Sequence, residues 1–314
     1  MKRVVFLAVF FVLLSAAALG ISGWLYRPDL TIPPGFEGRH VTVASVPLRV
    51  LEHGEGPDVL LIHGSPGCLE DWAPVVRRLL GEAHIVAYDR PGNCFSGETG
   101  DYSLIHNADL ALELIETLEL KDVVVAGHSY GGSTALAMAV RKPPSVRGYV
   151  IVDSATYEPS REPTALLRVL ALPGLGTGLA RLLGADAMRD PITAGIAQQF
   201  GERPPPPGFV DLRLRAWSTP KVTTSIANET MGSREYLAAQ SPQYPTIRQP
   251  VRILAQADSA FRRDAAERLH RDVPGSTLRL VPQAGHYLQV EKPEAVVEEI
   301  RALLPNTRTG AGGA

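Results

Sequence analysis

Apolar residues in this chain fall into runs of three kinds. The first is one long uncharged stretch, Val4 to Tyr26, between Lys2-Arg3 and Arg27. As a helix it would be about 34 Å long, enough to span a bilayer core. The second kind is the short apolar block. Val41 to Val50 predicts a strand pair, and Asp58 to His63, His84 to Tyr88, Asp122 to Ala126, Tyr149 to Val152, Val251 to Ala255 and Thr277 to Val281 predict single strands. The third kind repeats at three and four positions, as amphipathic helices do. It covers Trp72 to Leu80, Ala108 to Leu118, the alanine-rich Tyr130 to Arg141, and about Pro293 to Leu304, with proline at its first turn. Nearly continuous Val/Ile/Leu strands alternating with helices predict an α/β fold with a mostly parallel sheet covered on both faces.

This alternation divides the chain. Residues 1–26 form a transmembrane anchor or a signal, 27–39 a Pro/Gly-rich linker, 40–154 and 246–305 the two parts of one core, and 306–314 a small polar tail. Residues 155–245 break the pattern. Helical patches at Thr164 to Leu172 and Gly178 to Leu183 are interrupted by Arg203-Pro204-Pro205-Pro206-Pro207-Gly208, and no strand is evident. An insertion between two sheet strands predicts a helical cap over the strand ends. Its nine Lys/Arg and eight Asp/Glu advertise no highly charged ligand.

Two readings of the N-terminus stay open. Ser15-Ala16-Ala17-Ala18 offers the small residues of a cleaved signal. Ile21, Trp24, Leu25 and Tyr26 prolong the apolar run beyond it, and Trp24 and Tyr26 suit an interfacial belt, which favours a retained single-pass anchor. The positive end is expected to stay cytoplasmic, so either reading puts the bulk of the chain outside, on a membrane or as a periplasmic or secreted protein.

The 314 residues are 45% hydrophobic and 20% charged, the make-up of a chain with a real core. With 31 basic against 33 acidic residues there is no excess to neutralise phosphates, so nucleic acid is excluded as a natural partner. Two cysteines allow neither a disulfide framework nor a cysteine zinc cluster. Cys68 and Cys94 follow two loops expected at one sheet edge, and an exported domain could bond them.

Candidate chemistry centres on Gly127-His128-Ser129-Tyr130-Gly131, which follows the strand DVVVA and opens a helix. That is the strand–turn–helix setting of a nucleophile elbow. Ser129 needs a base, and of the histidines after it His286 sits just beyond a strand whereas His270 lies in a charged helical stretch. The acid that orients His286 is expected at a strand end, with Asp258 first and Asp153 as fallback. An oxyanion hole needs two donors, assigned to the backbone N–H groups of Tyr130 and Ser65, the latter in the loop His63-Gly64-Ser65-Pro66-Gly67. Gly64, Gly127 and Gly131 allow the backbone to approach closely, His63 and His128 support the loops, and Asp89 and Arg90 are expected to pair with each other.

Taken together, HGSPG at 63–67, DRPG at 89–92, GHSYGG at 127–132, LAQAD ending at Asp258 and GHYLQVEKPE at 285–294 resemble the lidded branch of the α/β-hydrolase superfamily. The resemblance covers about His40 to Leu304. It implies an α/β-hydrolase fold with a cap, no cofactor or metal, and hydrolysis of a small ester or amide substrate through an acyl-enzyme. Carboxylic-ester cleavage leads. A proline-iminopeptidase-like aminopeptidase and a carbon–carbon bond hydrolase are the enzymatic alternatives, and a catalytically silent binding protein of the same fold is the non-enzymatic one. Cys94 and Ala255 stand where family members often carry glycine, and the second departure weakens Asp258. Serine at 129, where dehalogenases and epoxide hydrolases carry aspartate, points away from those activities. Oligomeric state is left open.

Overall fold

The computed structural model describes residues 2–160, 162–201 and 204–305. The expected tail at 306–314, and Arg203 of the proline run, lie outside the described residues.

Eight strands form one sheet: β1 (Arg39–Val43), β2 (Val46–His53), β3 (Asp58–Ile62), β4 (His84–Tyr88), β5 (Val123–His128), β6 (Val146–Val152), β7 (Val251–Gln256) and β8 (Thr277–Val281). Their spatial order is β1-β2-β4-β3-β5-β6-β7-β8. The first two strands run antiparallel at one edge and the rest are parallel. Successive side chains of a strand point to opposite faces, and here both faces are apolar. Leu60 and Ile62 of β3 join one core with Val123 and Val125 of β5, whereas Val59 and Leu61 join the other with Val124 and Ala126. The first core is closed by α3 (Leu104–Thr117), α4 (Tyr130–Arg141) and α9 (Ala260–Asp272), the second by α2 (Ala73–Leu79), α10 (Leu288–Glu291) and α11 (Pro293–Arg301).

The chain passes from β3 to β4 on one side and then to β5 on the other. The order therefore reverses between β3 and β5, and a crevice opens at their C-terminal ends. The loops expected to carry Ser65 and Ser129 flank that crevice.

Between β6 and β7 stand α5 (Ala165–Leu170), α6 (Leu175–Gln199), α7 (Phe209–Trp217) and α8 (Pro220–Gln240). α6 is broken at Gly184, whose φ of 70° and ψ of 173° are not helical, so its two halves point differently. Three buried cationic contacts pin the last two of these helices to the core. Arg213 of α7 pairs with Asp71, Glu229 of α8 with Arg90 at 2.6 Å, and Lys221 of α8 donates to the carbonyls of Cys94 and Ser96. Charges that balance in the sequence are thus spent on fixing the insertion in place. The expected Asp89–Arg90 pair is not formed. Asp89 takes Arg49 at 3.1 Å and the N–H groups of Leu69 and Phe95, and the buried Arg90 pairs instead with Glu229 and Asn107.

α1 (Lys2–Trp24) is the one described helix long and apolar enough to cross a membrane, and no residue in it is buried. It packs against α6.

Candidate active site

Ser129 lies between β5 and α4 with φ 52° and ψ −119°, a strained conformation for a residue with a Cβ. The glycines around it are there for space. A Cβ at Gly131 would run into the carbonyls of Ile62 and His63, and one at Gly127 into the carbonyl of Gly131. Removing those side chains lets α4 begin directly above β3, with Ser129 at the head of a helix.

The acid beside His286 is Asp153, not Asp258. The Nδ1 of His286 bonds Asp153 Oδ2 at 2.5 Å. Sheet order explains this. β6 lies next to β5, the N–H of Ser129 donates to Val152 O at 3.0 Å, and the N–H of Asp153 donates to Leu254 O at 2.7 Å. Asp153 therefore stands at the neighbouring strand tip, at the level of the serine. The N–H and the side-chain amide of Gln256 each donate to its carboxylate at 3.0 Å. Asp258 lies two residues past the end of β7, is exposed, and accepts the N–H of Gln283 at 2.8 Å. It braces the turn that leads to His286.

Burial works to raise the Asp153 carboxyl, but the bond and charge of His286 and the nearby Arg262 guanidinium outweigh it and hold the group below its ordinary range. His286 is lowered, first by burial and then by the Arg262 cation, more than Asp153 raises it. The imidazole is thus held neutral and able to accept a proton. Its backbone is fixed from two sides: its N–H donates to Gln199 O at the end of α6 at 2.6 Å, and His128 Nε2 donates to its carbonyl at 2.9 Å.

The two supporting histidines are neutral for the same reason. Burial, then Arg90, holds His63 well below its ordinary value, and burial, then His286, does so for His128. His63 accepts the N–H of Arg90 at 2.8 Å and donates to Gly64 O at 2.7 Å, tying the loop after β3 to the one after β4. Cys68 and Cys94 tie the same loops by a disulfide, with Cα atoms 5.7 Å apart. Asp89 lies close enough to both sulfurs to suggest a metal-ligand cluster, but the sulfurs are bonded to each other and the carboxylate is already held by donors.

A cavity of about 380 Å³ collects these groups. Gly64, Ser65, Pro66, His128, Ser129 and His286 form its floor, Tyr287 and Arg262 part of its wall, and Pro191, Ile192, Gly195, Ile196, Gln199 and Trp217 of the insertion its roof. Tyr130, assigned as the second oxyanion donor, opens α4. Its hydroxyl donates to Tyr102 O at 2.8 Å and its ring lies 4.6 Å from the Arg90 guanidinium, so its side chain is turned away from the cavity's chemistry. Arg262, Gln256 and the roof residues were not read from the sequence. Gln256 sits inside LAQAD, but a glutamine at a strand end gives no sign that it holds a carboxylate.

An alpha/beta hydrolase family model matches residues 59–299. The chain belongs to the alpha/beta hydrolase family. As a member it is similar to 2-(acetamidomethylene)succinate hydrolase of Mesorhizobium japonicum, at 30% identity over 285 residues that cover 84% of this chain and 94% of that protein. Among solved structures, this hydrolase resembles a membrane phospholipase A described as a bacterial virulence factor, with a TM-score of 0.66 and 22% identity over 96% of this chain and 98% of that one. It also resembles an esterase from Exiguobacterium antarcticum, with a TM-score of 0.70 and 19% identity over 85% and 98% of the two chains. At those identities the likeness is one of fold.

Proposed function

We propose that this hydrolase is a serine esterase, retained at a membrane by α1, that cleaves acyl esters through an acyl-enzyme. The observation that carries the reading is Ser129 and a neutral His286 lining one roofed cavity, with the ionised Asp153 bonded to His286 behind it.

Ser129 Oγ attacks the acyl carbonyl while its proton passes to Nε2 of His286. The imidazolium that forms is stabilised by Asp153, which keeps its charge. The carbonyl oxygen becomes an oxyanion facing the N–H groups of Ser65 and Tyr130, donors whose loss in such sites costs about 10²–10³ in rate. Collapse expels the alcohol, which takes the proton from His286. Water then repeats the sequence against the acyl-enzyme, releases the acid and restores Ser129. The helices of residues 155–245 act as the cap that shapes the acyl site.

Wall chemistry supports esters over peptides with a free amino terminus. The described lining carries one cation, Arg262, and no carboxylate. An α-ammonium group would find no partner there.

A fluorophosphonate probe and a panel of p-nitrophenyl esters and amino-acid anilides test this. Labelling that disappears in Ser129→Ala, with turnover of esters and not anilides, is the expected result. Labelling that survives Ser129→Ala refutes the nucleophile, and anilide turnover above ester turnover refutes the substrate class.

A further inference from the structure

α1 is too long for the way it is held. Its first part, Lys2 to Leu14, is exposed on all sides, whereas Ser15, Ala16, Leu19, Gly20, Ser22 and Gly23 are half-covered at three- and four-residue spacing. That covered stripe lies against the start of α6, where a Cβ at Gly178 would strike the carbonyl of Leu19 and one at Gly23 the carbonyl of Gly174. Close crossing through glycines is how helices pair inside membranes. The free part of α1 measures only about 20 Å, against a hydrocarbon core of about 30 Å. Tilting α1 would only widen the gap. To span, α1 must carry its docking site about 10 Å into the bilayer with it.

The surface that would enter is built for it. Leu166, Val169, Leu172, Leu182 and Leu183 are 55%, 36%, 47%, 70% and 38% exposed. No Asp or Glu occurs from Thr164 to Ala185, and the only charges there are Arg168 and Arg181. Arg181 donates to Ser22 of α1 and Arg168 pairs with Glu162 just outside the stretch, so both can lay their stems on apolar surface with their heads toward the phosphate layer. Beyond the break at Gly184, the same helix supplies Pro191, Ile192 and Ile196 to the cavity roof.

We propose that residues 165–183 are immersed beside α1 in the acyl region of the outer leaflet, so that the cavity draws esters carried in that leaflet. This rests on the esterase reading and on retention of α1. The test uses the full-length protein in phosphatidylcholine–phosphatidylglycerol vesicles, with intact mass establishing that α1 is present. A cleaved chain overturns the proposal.

Benzoylphenylalanine is placed at Leu182 or, as a control, at Leu80, which is 50% exposed beside the N-terminal end of β4 and so at the opposite edge of the sheet. Irradiation should crosslink lipid at 182 and leave 80 essentially unlabelled; equal labelling overturns the immersion. Activity gives a second readout. Leu166→Asp with Leu182→Asp should lower the ratio of vesicle-borne long-chain ester to soluble short-chain ester turnover by at least about tenfold, from the cost of placing two carboxylates in hydrocarbon. A ratio within about twofold of the parent's overturns delivery from the leaflet. Absence of ester turnover in the parent would end the esterase reading, and crosslinking would still judge the surface.

Discussion

Asp153→Asn separates the two carboxylates that compete for the same role. Asp153 Oδ1 accepts the backbone N–H of Gln256 at 3.0 Å, a donor that cannot turn round. An asparagine must keep its carbonyl there, which places its NH₂ where Oδ2 now meets Nδ1 of His286. Nδ1 then becomes the acceptor and the proton moves to Nε2, the nitrogen that must take the proton of Ser129. Gln256, whose side-chain NH₂ now donates to Oδ2, turns its amide to present Oε1 to the new NH₂, so the fold keeps its hydrogen bonds while the base is held in the wrong tautomer. Such a swap lowers kcat by roughly 10⁴, about 5 kcal/mol of barrier. Asp258→Asn keeps a carbonyl for Gln283 at an exposed site, so its effect should stay within about twofold, near 0.5 kcal/mol. Both variants are measured in detergent on a soluble p-nitrophenyl ester across pH, with thermal midpoints to establish folding. A loss near 10³ in the Asp258 variant beside a loss under tenfold in the Asp153 variant would refute the assignment.

Two further outcomes follow from the site. His286 must be neutral to act, and Arg262 helps to hold its pKa down, so Arg262→Met should raise that pKa. Turnover then falls most at mildly acid pH while the alkaline plateau is nearly kept; an acid limb that stays in place or moves to lower pH contradicts the role. Cys68 and Cys94 are 26 residues apart in sequence, so replacing both with alanine should lower stability by on the order of 3 kcal/mol. The denatured parent should titrate no thiol; two free thiols, or an unchanged unfolding midpoint, would contradict the bond.

The strands and most core helices were legible because apolar spacing reports burial directly. Asp58 to Ile62 and His84 to Tyr88 are buried on both faces, and their sequences show no polar alternation. Ser129 and His286 were legible because glycine spacing and chain order narrow the choice. Asp153 was not preferred, since choosing between two strand-end aspartates takes knowledge of which strand lies beside β5. Sequence order puts Asp258 closer to His286, but sheet order puts Asp153 there. α7 and α8 escaped for a related reason. Their faces are set by partners such as Asp71, Arg90 and the carbonyl of Cys94, whose charges or dipoles make polar residues like Arg213, Lys221 and Glu229 the buried ones. A periodicity that scores burial by hydrophobicity misses helices held by their cations.

Those three cationic contacts also decide how the cavity exchanges its contents. Moving α7 and α8 off the core would part Arg213 from Asp71, Glu229 from Arg90, and Lys221 from the carbonyls of Cys94 and Ser96 all at once. Those two helices therefore leave the core together or not at all. With both in place, what enters or leaves the cavity passes roof side chains that can move singly. Choice of substrate then becomes a matter of bore and length, tuned one residue at a time by Ile192, Ile196 and Trp217.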